Sequence, residues 1–375
     1  MITLKKNHIK IDKLIVFFLC SLLIISLLSI YSASIYLSKS LGNLVLKQGL
    51  WYFIGTILII LVLKLKVNFF IKYAPYLYIF CNILLLGLLF IAPEINGSKC
   101  WYVIDGLGSF QPSEFMKIGL LFMEIYIIDK YKVKYKNLNS MQEFKLILLI
   151  FLVFLIPSVL TFLEPDTGAV IIYFIMTVIV LLICGIKFRW FSILGIISSF
   201  LMMIFFFLYF NKQNMFIKYF GSDFFYRIDR IINWRSGSGM QLENSLAAIG
   251  SSGLFGHGFN KTPIYFPEAG TDFIFTVFAS NFGLIGCTFI ITITVFFDIH
   301  LIKIALNQKK EKYKYLLSGI ICIFFYQQIQ NISMTIGLLP ITGITLPFIS
   351  YGGSSLLAYL FLIGTCLSVY NESNI

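Results

Sequence analysis

The chain has 375 residues, of which 59% are hydrophobic and only 12% are charged, with a formal net charge of +12. A soluble domain carries about 25% charged residues and could not bury this much apolar surface. The composition therefore excludes a soluble or disordered protein and predicts an all-α polytopic membrane protein. Nucleic-acid binding is not indicated, because the Lys and Arg residues lie mostly in short clusters between apolar runs.

Ten apolar runs are long enough to cross a membrane, since a transmembrane helix needs about 20 residues. They lie near residues 14–31, 49–65, 76–93, 112–129, 146–163, 168–186, 190–210, 273–299, 315–335 and 350–370. Short connections near Pro165 and Gly185 separate neighbouring runs. The large loop between spans 7 and 8, about 211–271, is expected to contain amphipathic helices near 224–234 and 241–249. All 375 residues form one integral membrane domain.

The distribution of Lys and Arg predicts the orientation of the chain. With the N-terminus in the cytoplasm, 19 basic residues fall on the cytoplasmic side and nine on the opposite side. Six of those nine lie in the long 211–271 loop, where the rule has least force. Both termini are therefore expected in the cytoplasm, and the 211–271 loop outside.

Ionisable side chains near membrane depth are costly and need a reason. Glu114 and Lys117 are spaced i, i+3 at the outer end of the fourth span, which places them on one helix face. They form either a mutual ion pair or the wall of a polar cavity. Asp166 follows Pro165 at a broken helix junction, where it is either an N-cap or a site residue.

Asp272 opens the eighth span, four residues after Glu268. A capping role is one interpretation, because a helix N-terminus stabilises a carboxylate. The other is catalytic. At the outer mouth of an apolar helix, this carboxylate is placed to accept a proton from a sugar hydroxyl.

Two glycine-rich segments also lie outside the spans. Residues 249–258 could hold a pyrophosphate on backbone N–H groups or form a flexible loop. Residues 337–355 are apolar, uncharged and interrupted by Pro and Gly. Since irregular backbone at membrane depth survives only against protein or a wet cavity, we expect a re-entrant segment that lines a site, with Ser350 and Gly352 as candidate substrate contacts.

Five motifs in chain order resemble the SEDS family, the RodA, FtsW and SpoVE group of proteins for shape, elongation, division and sporulation. The motifs are Asn96–Trp101, Phe110–Glu114, Glu164–Gly168, Pro267–Phe275 and Gly337–Ser354. The resemblance covers the chain from residue 31 to about 358. It implies a ten-span glycosyltransferase, of the hexosyltransferase class, that polymerises lipid II on the outer face of the cytoplasmic membrane.

The resemblance also assigns roles to residues. The family's essential aspartate matches Asp272, its motif tryptophan matches Trp101, and its cavity carboxylate and lysine match Glu114 and Lys117. Three positions depart from the family pattern: Cys100 stands where Arg is frequent, Ser252 where Gly is common, and Gly270 where His is frequent. The substitution at residue 100 removes one potential phosphate contact.

Polymerisation of lipid-linked sugars requires a base for the acceptor hydroxyl and positive charge for the departing pyrophosphate. The available cations are Lys99, Lys117, Arg227, Arg230 and Arg235. A divalent cation, Mg²⁺ or Mn²⁺, could share this work. Asp166 and Glu268 complete the set of candidate substrate-binding residues.

The resemblance implies three partners: lipid II, the undecaprenyl-linked glycan and a class B penicillin-binding protein. Two other functions remain open from the residues alone, a lipid II flippase and a non-catalytic scaffold of the cell-wall synthesis complex. The outward position of Asp272 favours an enzyme, because a flippase has no evident need for a base at one membrane face. The motif sequence Phe110-Gln111-Pro112 and the short C-terminal tail favour a RodA-like member of the family.

Overall fold

The computed structural model describes residues 10–34, 44–94, 98–104, 108–232 and 239–373. These residues form ten long helices, four short helices and one β-hairpin. The long helices are α1 (Lys13–Ser34), α2 (Leu44–Leu65), α4 (Ala74–Ile91), α5 (Pro112–Lys134), α6 (Ser140–Leu163), α7 (Thr167–Ile183), α8 (Phe188–Asn211), α12 (Ile274–Leu306), α13 (Glu311–Thr335) and α14 (Gly353–Ser373). The short helices are α3 (Val67–Lys72), α9 (Gln213–Phe220), α10 (Ser222–Ile232) and α11 (Gly239–Ser251). The hairpin pairs β1 (Tyr102–Ile104) with β2 (Gly108–Phe110) in antiparallel register.

The ten long helices coincide with the ten predicted apolar runs, and the all-α polytopic fold is confirmed. Seven of them are long and apolar enough to cross a membrane, and α7 is a shorter apolar helix of 17 residues. The other two, α5 and α13, owe their lower hydropathy to polar side chains that are buried inside the bundle, among them Lys117 in α5 and Asn331 in α13. Burial among neighbouring helices is how polar groups are tolerated at membrane depth.

Successive long helices run in opposite directions, so their ends form two faces. At one face, here called the loop face, the start of α5 contacts the starts of α7 and α14. The Gln111 side-chain amide donates to Asp166, and the Gln111 N–H donates to the Ser354 hydroxyl. At the other, the lysine face, the end of α5 meets the start of α13 through the Lys132–Glu311 ion pair. The loop face therefore contains the described parts of the 211–271 loop and of all five sequence motifs.

The predicted amphipathic helices are present within the long loop as α10 and α11. Helices α8, α9 and α10 share a cluster of aromatic rings, in which Phe216 stacks on Phe224 with ring centroids 6.0 Å apart. The Tyr209 hydroxyl of α8 donates to the Asp229 carboxylate of α10 at 2.7 Å. Apart from this cluster, α8 buries little of its surface, since Tyr209 is its single buried residue.

Helix α12 is interrupted at Gly283, whose φ of +62° and ψ of −157° are not helical. The segment that follows α11 fills this interruption. The N–H groups of His257 and Gly258 donate to the carbonyls of Ser280 and Asn281, at 2.9 and 3.1 Å. In return, the N–H groups of residues 284 and 285 donate to the carbonyls of residues 253 and 254. The broken helix and the loop thus satisfy each other's backbone, as an apolar environment requires.

This arrangement bears on the glycine-rich segment 249–258. The N–H groups of Gly256, His257 and Gly258 already donate to backbone carbonyls, so these three do not form a free cradle for pyrophosphate. The glycines serve close packing instead. A Cβ on Gly256 would lie 2.3 Å from the Asn281 carbonyl oxygen, and one on Gly283 would lie 2.4 Å from the Gly256 nitrogen.

We expect Gly256→Ala or Gly283→Ala to destabilise the protein by roughly 2–4 kcal/mol, because each substitution adds a backbone clash to a positive φ that alanine disfavours. Gly250→Ala is the matched control. A Cβ on this exposed residue of α11 meets no atom within 4 Å, so its effect should be neutral or slightly stabilising. Thermal unfolding of the three purified variants in one detergent checks this, and equal melting temperatures would contradict it.

Candidate functional site

Residues 336–352, between α13 and α14, form no helix but lie largely inside the bundle. Side chains from three helices hold this re-entrant segment by its carbonyls. Ser26 of α1 donates to Ile349, Gln48 of α2 donates to Ser350, and Asn331 of α13 donates to Ile344, at 2.8, 3.2 and 2.8 Å. The predicted re-entrant segment is confirmed, and its backbone is paired as membrane depth demands.

The re-entrant segment in turn fixes the loop that precedes α12. The Ser350 hydroxyl donates to the Thr271 carbonyl at 2.6 Å, and the Tyr351 N–H donates to the Gly270 carbonyl at 2.9 Å. The Asn331 amide adds a hydrogen bond to the Asp272 carbonyl at 2.8 Å. Three consecutive carbonyls are therefore held, and the position of Asp272 is set by its main chain.

The Asp272 carboxylate itself remains available. It is half-buried and makes no hydrogen bond to the residues that the structure describes. The backbone of Gly343 lies beside it, since a Cβ there would be 3.7 Å from Oδ2. Burial raises the pKa of Asp272 to about 7, and the charge of nearby Glu268 adds to the increase. A carboxyl group with this pKa can accept or donate a proton near neutral pH.

Asp166 joins two of the sequence motifs. Its Oδ1 accepts from the Ala169 N–H at 3.0 Å, so it is the N-cap of α7, one of its two predicted roles. Its Oδ2 accepts from the Ser113 hydroxyl at 2.8 Å and from the Gln111 amide at 3.1 Å. A Cβ on neighbouring Gly168 would meet the Thr342 carbonyl at 3.0 Å. The Asp166 junction therefore packs on the same segment that borders Asp272.

Glu114 and Lys117 form an ion pair, one of their two predicted arrangements, with Nζ 2.7 Å from Oε2. The Lys117 side chain is only 1% exposed, whereas Glu114 is 12% exposed. The ammonium group lies 5.4 Å from the centre of the Tyr359 ring, and the Tyr359 hydroxyl is 2.9 Å from Thr345 Oγ1. The pair is thus connected to the re-entrant segment through one aromatic residue.

Glu164, in the motif that contains Asp166, is completely buried, and neither carboxylate oxygen has a hydrogen-bond partner among the described residues. Burial raises its pKa to about 9, with a further contribution from the Asp166 charge. The Cys100 thiol donates to the Glu164 carbonyl at 2.8 Å. Cys100 therefore fixes the junction after α6, which gives this departure from the family pattern a structural role.

The remaining candidate residues have different positions. Trp101 is half-buried just before β1, and Lys99 is exposed. Arg227 and Arg230 belong to α10, but their side chains lie outside the described part of the structure, as does Arg235. Glu268 is exposed, has a φ of +56°, and accepts a hydrogen bond from the Thr271 hydroxyl at 2.8 Å.

Ser350 and Gly352 hold the segment together within the protein. The Ser350 hydroxyl accepts from the Leu346 N–H at 2.8 Å and donates to Thr271, and the residue is 4% exposed. The Gly352 N–H points to the Gln48 amide oxygen at 3.4 Å. A substrate contact at these two positions stays a prediction, and their observed contacts are with the chain itself.

The donor set for a divalent cation is sparse. In the described ranges, no three His, Cys, Asp or Glu side chains come together as ligands. Asp272 and Glu268 are two carboxylates without a third. The expected Mg²⁺ or Mn²⁺ therefore remains a prediction, and these ranges do not provide a resident site made of protein ligands alone.

Several site residues were not identified from the sequence. Asn331 and Gln330 hold the re-entrant segment, Gln48 binds its far end, and Tyr359 connects it to Lys117. The sequence of α13 contained a usable signal, since several amide residues interrupt an otherwise apolar run. Polar residues within a membrane span are functional candidates by default. Their partners, however, are backbone carbonyls, which a sequence pattern does not reveal.

Comparison with known proteins gives one family. The model of the FtsW, RodA and SpoVE family, described as cell cycle protein, matches residues 12–375. The chain is 34% identical to a probable peptidoglycan glycosyltransferase FtsW of Wigglesworthia glossinidia brevipalpis, covering 94% of this chain and 92% of the relative. It is 31% identical to stage V sporulation protein E of Bacillus subtilis, covering 96% and 97%.

A similar solved structure has the same fold. It is described as "Structural coordination of polymerization and crosslinking by a peptidoglycan synthase complex", and the likeness covers 98% of this chain and 99% of that one. The TM-score is 0.80 at 23% sequence identity.

We expect Asn331→Leu to loosen the loop that carries Asp272, because it leaves two buried carbonyls without a donor, at roughly 1–3 kcal/mol each. Gln330→Leu is the matched control, since the Gln330 amide donates only to the Pro340 carbonyl, at 3.0 Å. Hydrogen–deuterium exchange of peptides covering residues 268–273 should increase in the first variant and not in the second. Equal exchange in both would contradict the role of Asn331.

Proposed function

Because the chain belongs to the FtsW, RodA and SpoVE family, we propose that it is a peptidoglycan glycosyltransferase that polymerises lipid II into glycan strands. One observation supports this proposal above all. A half-buried carboxylate, Asp272, is held by its main chain, is left without a hydrogen bond to the described residues and has a pKa of about 7. The relatives named above are an FtsW and a stage V sporulation protein, and the RodA-like preference stays a prediction.

In the proposed reaction, the 4-hydroxyl of the acceptor GlcNAc attacks C1 of the donor MurNAc. Asp272 takes the hydroxyl proton as general base while the new C1–O bond forms. The bond from C1 to the pyrophosphate oxygen breaks, and undecaprenyl pyrophosphate leaves with its electron pair. Direct displacement inverts the configuration at C1, so a second catalytic acid is not required.

The negative charge of the leaving group needs compensation. Lys117 is a candidate, but its ammonium is paired with Glu114 at 2.7 Å. The exposed Lys99 lies at the same face. Arg227 and Arg230 belong to α10, whose backbone is at this face. We propose that these cations, together with a divalent ion carried by the substrate, balance the pyrophosphate charge.

We also propose that both termini are cytoplasmic and that the loop face points outward, toward the periplasm or cell wall. Of the 19 basic residues assigned to the cytoplasm, the 17 that fall in the described ranges lie at the lysine face, which supports this orientation. Asp272 would then meet substrate whose sugars are already outside the membrane.

A class B penicillin-binding protein is the proposed partner. Its basis is the family, together with the absence of a folded domain beyond the helical bundle and its loop helices in the described residues. Co-purification of this chain with such a protein from its native membrane is the direct test.

We expect Asp272→Asn to lower polymerisation about 10²- to 10⁴-fold, because the amide keeps the size of the carboxylate but loses its basicity. For the wild type, kcat/KM should rise with pH through about 7, as Asp272 becomes ionised. Glu268→Gln removes the neighbouring charge that raises the pKa of Asp272, so this rise should move to lower pH. A lipid II polymerisation assay across pH 5–9 measures all three effects.

Glu243→Gln is the control for Glu268→Gln, since it neutralises an exposed carboxylate of α11 and should leave the pH profile unchanged. An Asp272→Asn variant that polymerises within a few-fold of wild type would refute the role of Asp272. A variant that is deficient only in lipid II translocation would favour the flippase.

The orientation is tested by labelling with a membrane-impermeant thiol reagent in a background without native cysteines. A cysteine at exposed Lys261, in the 211–271 loop, should react in intact cells, and one at exposed Lys134, at the end of α5, should react only after lysis. The opposite labelling pattern would contradict the proposed topology and would place Asp272 on the cytoplasmic side, away from external substrate.

A further inference from the structure

We propose that this protein binds an anionic phospholipid with a hydroxylated headgroup, such as phosphatidylglycerol, between α1 and α12 at the lysine face. A cavity of about 660 Å³ lies there, at the opposite end of the bundle from Asp272. A second, apolar groove of about 370 Å³ adjoins it and shares Leu14, His300 and Lys303 with the cavity wall. Together they have a polar end and an apolar end, as a phospholipid does.

The polar end carries more positive than negative charge, since two lysines and one carboxylate line it. Lys13 and Lys303 line the cavity, and in the described ranges neither forms an ion pair. The one carboxylate in the wall, Asp12, is already engaged. Its Oδ2 lies 3.0 Å from His300 Nε2, and its Oδ1 accepts the N–H groups of Leu14 and Ile15 at the start of α1. The cavity therefore attracts an anion.

A hydroxyl donor in the headgroup has a partner as well. Gln308 lines the cavity, is 3% exposed, and has an amide oxygen with no hydrogen-bond partner among the described residues. Its amide nitrogen donates to the Ile304 carbonyl at 2.9 Å, so the oxygen is the group left to be satisfied. A buried acceptor without a donor is costly. The oxygen is buried in the structure, so a rotation of the Gln308 amide toward the cavity would let a glycerol hydroxyl remove that cost.

The apolar groove fits an acyl chain in character and in length. Its wall comes from one face of each helix, at helical spacing: Leu14, Phe17 and Phe18 of α1, with Ile293, Phe296 and Ile299 of α12. The ten helical steps from Ile293 to Lys303 span about 15 Å along α12. This is half of a hydrocarbon core of about 30 Å, or the depth of one leaflet.

The N-terminal residues of this chain are the competing occupant, but their charge disfavours them. Lys5 and Lys6 would enter a cavity that already holds two unpaired lysines. Basic pockets between helices at the cytoplasmic side are suited to anionic headgroups, which agrees with the proposed orientation.

The test is native mass spectrometry of the purified full chain with phosphatidylglycerol or with phosphatidylcholine of identical acyl chains. We expect tighter binding of phosphatidylglycerol, weakened roughly fivefold for each lysine removed in Lys13→Gln/Lys303→Gln. Lys64→Gln/Lys309→Gln is the matched control, because it removes two exposed lysines from the same face but outside the cavity. Its affinity should equal that of wild type.

Phe296→Ala should also weaken binding, whereas Phe200→Ala of α8 should not, although both side chains are 57% exposed. Equal affinity for the two lipids in wild type, or an equal loss in both lysine pairs, would overturn the proposal. Inorganic phosphate is the last control. If it raised the melting temperature as much as phosphatidylglycerol does, the site would bind phosphate without using the groove, and the proposal would be overturned.

Discussion

The structure depends on the pairing of one stretch of irregular backbone at membrane depth. Residues 336–352 have no helical ladder, and an unpaired carbonyl in an apolar interior is costly. Donors from α1, α2 and α13 meet that requirement, and Ser350 and Tyr351 pass the restraint on to the loop of Asp272. The need to pair these main-chain groups thereby positions Asp272, and it explains why amide side chains are buried inside the bundle.

The same constraint is met in a second way within α12. The break at Gly283 releases backbone groups of the helix, and the 253–258 segment pairs with them. Here the partners are main chain on both sides, so glycines are needed for close approach, whereas the re-entrant segment is held by side-chain amides and hydroxyls. The 253–258 segment borders α12 on its loop-face half, whereas the groove with α1 is formed by the other half of α12.

The carboxylates of the loop face differ in whether their oxygens are already hydrogen-bonded or ion-paired within the protein. Asp166 is fully used, as the N-cap of α7 and as acceptor from Ser113 and Gln111. Glu114 neutralises Lys117, which is almost completely buried. Asp272 alone combines partial exposure with a carboxylate that is free of hydrogen bonds to the described residues, and burial with the charge of Glu268 brings its pKa close to neutrality. This contrast separates a proton acceptor from carboxylates that hold the fold.

The sequence by itself determined the membrane class, the ten long helices, the loop helices α10 and α11 and the motifs of the family, because hydrophobic run length and local spacing are properties of consecutive residues. It also predicted Asp272 as the acidic group at the mouth of α12. Only the tertiary structure showed that Asp166 caps α7 and that the N–H groups of His257 and Gly258 donate to α12. It also revealed Asn331 and Ser350 as supports of Asp272. These outcomes rest on hydrogen bonds to backbone carbonyls far along the chain, and a carbonyl is identical in every residue, so the sequence carries no mark of which ones are left to be paired.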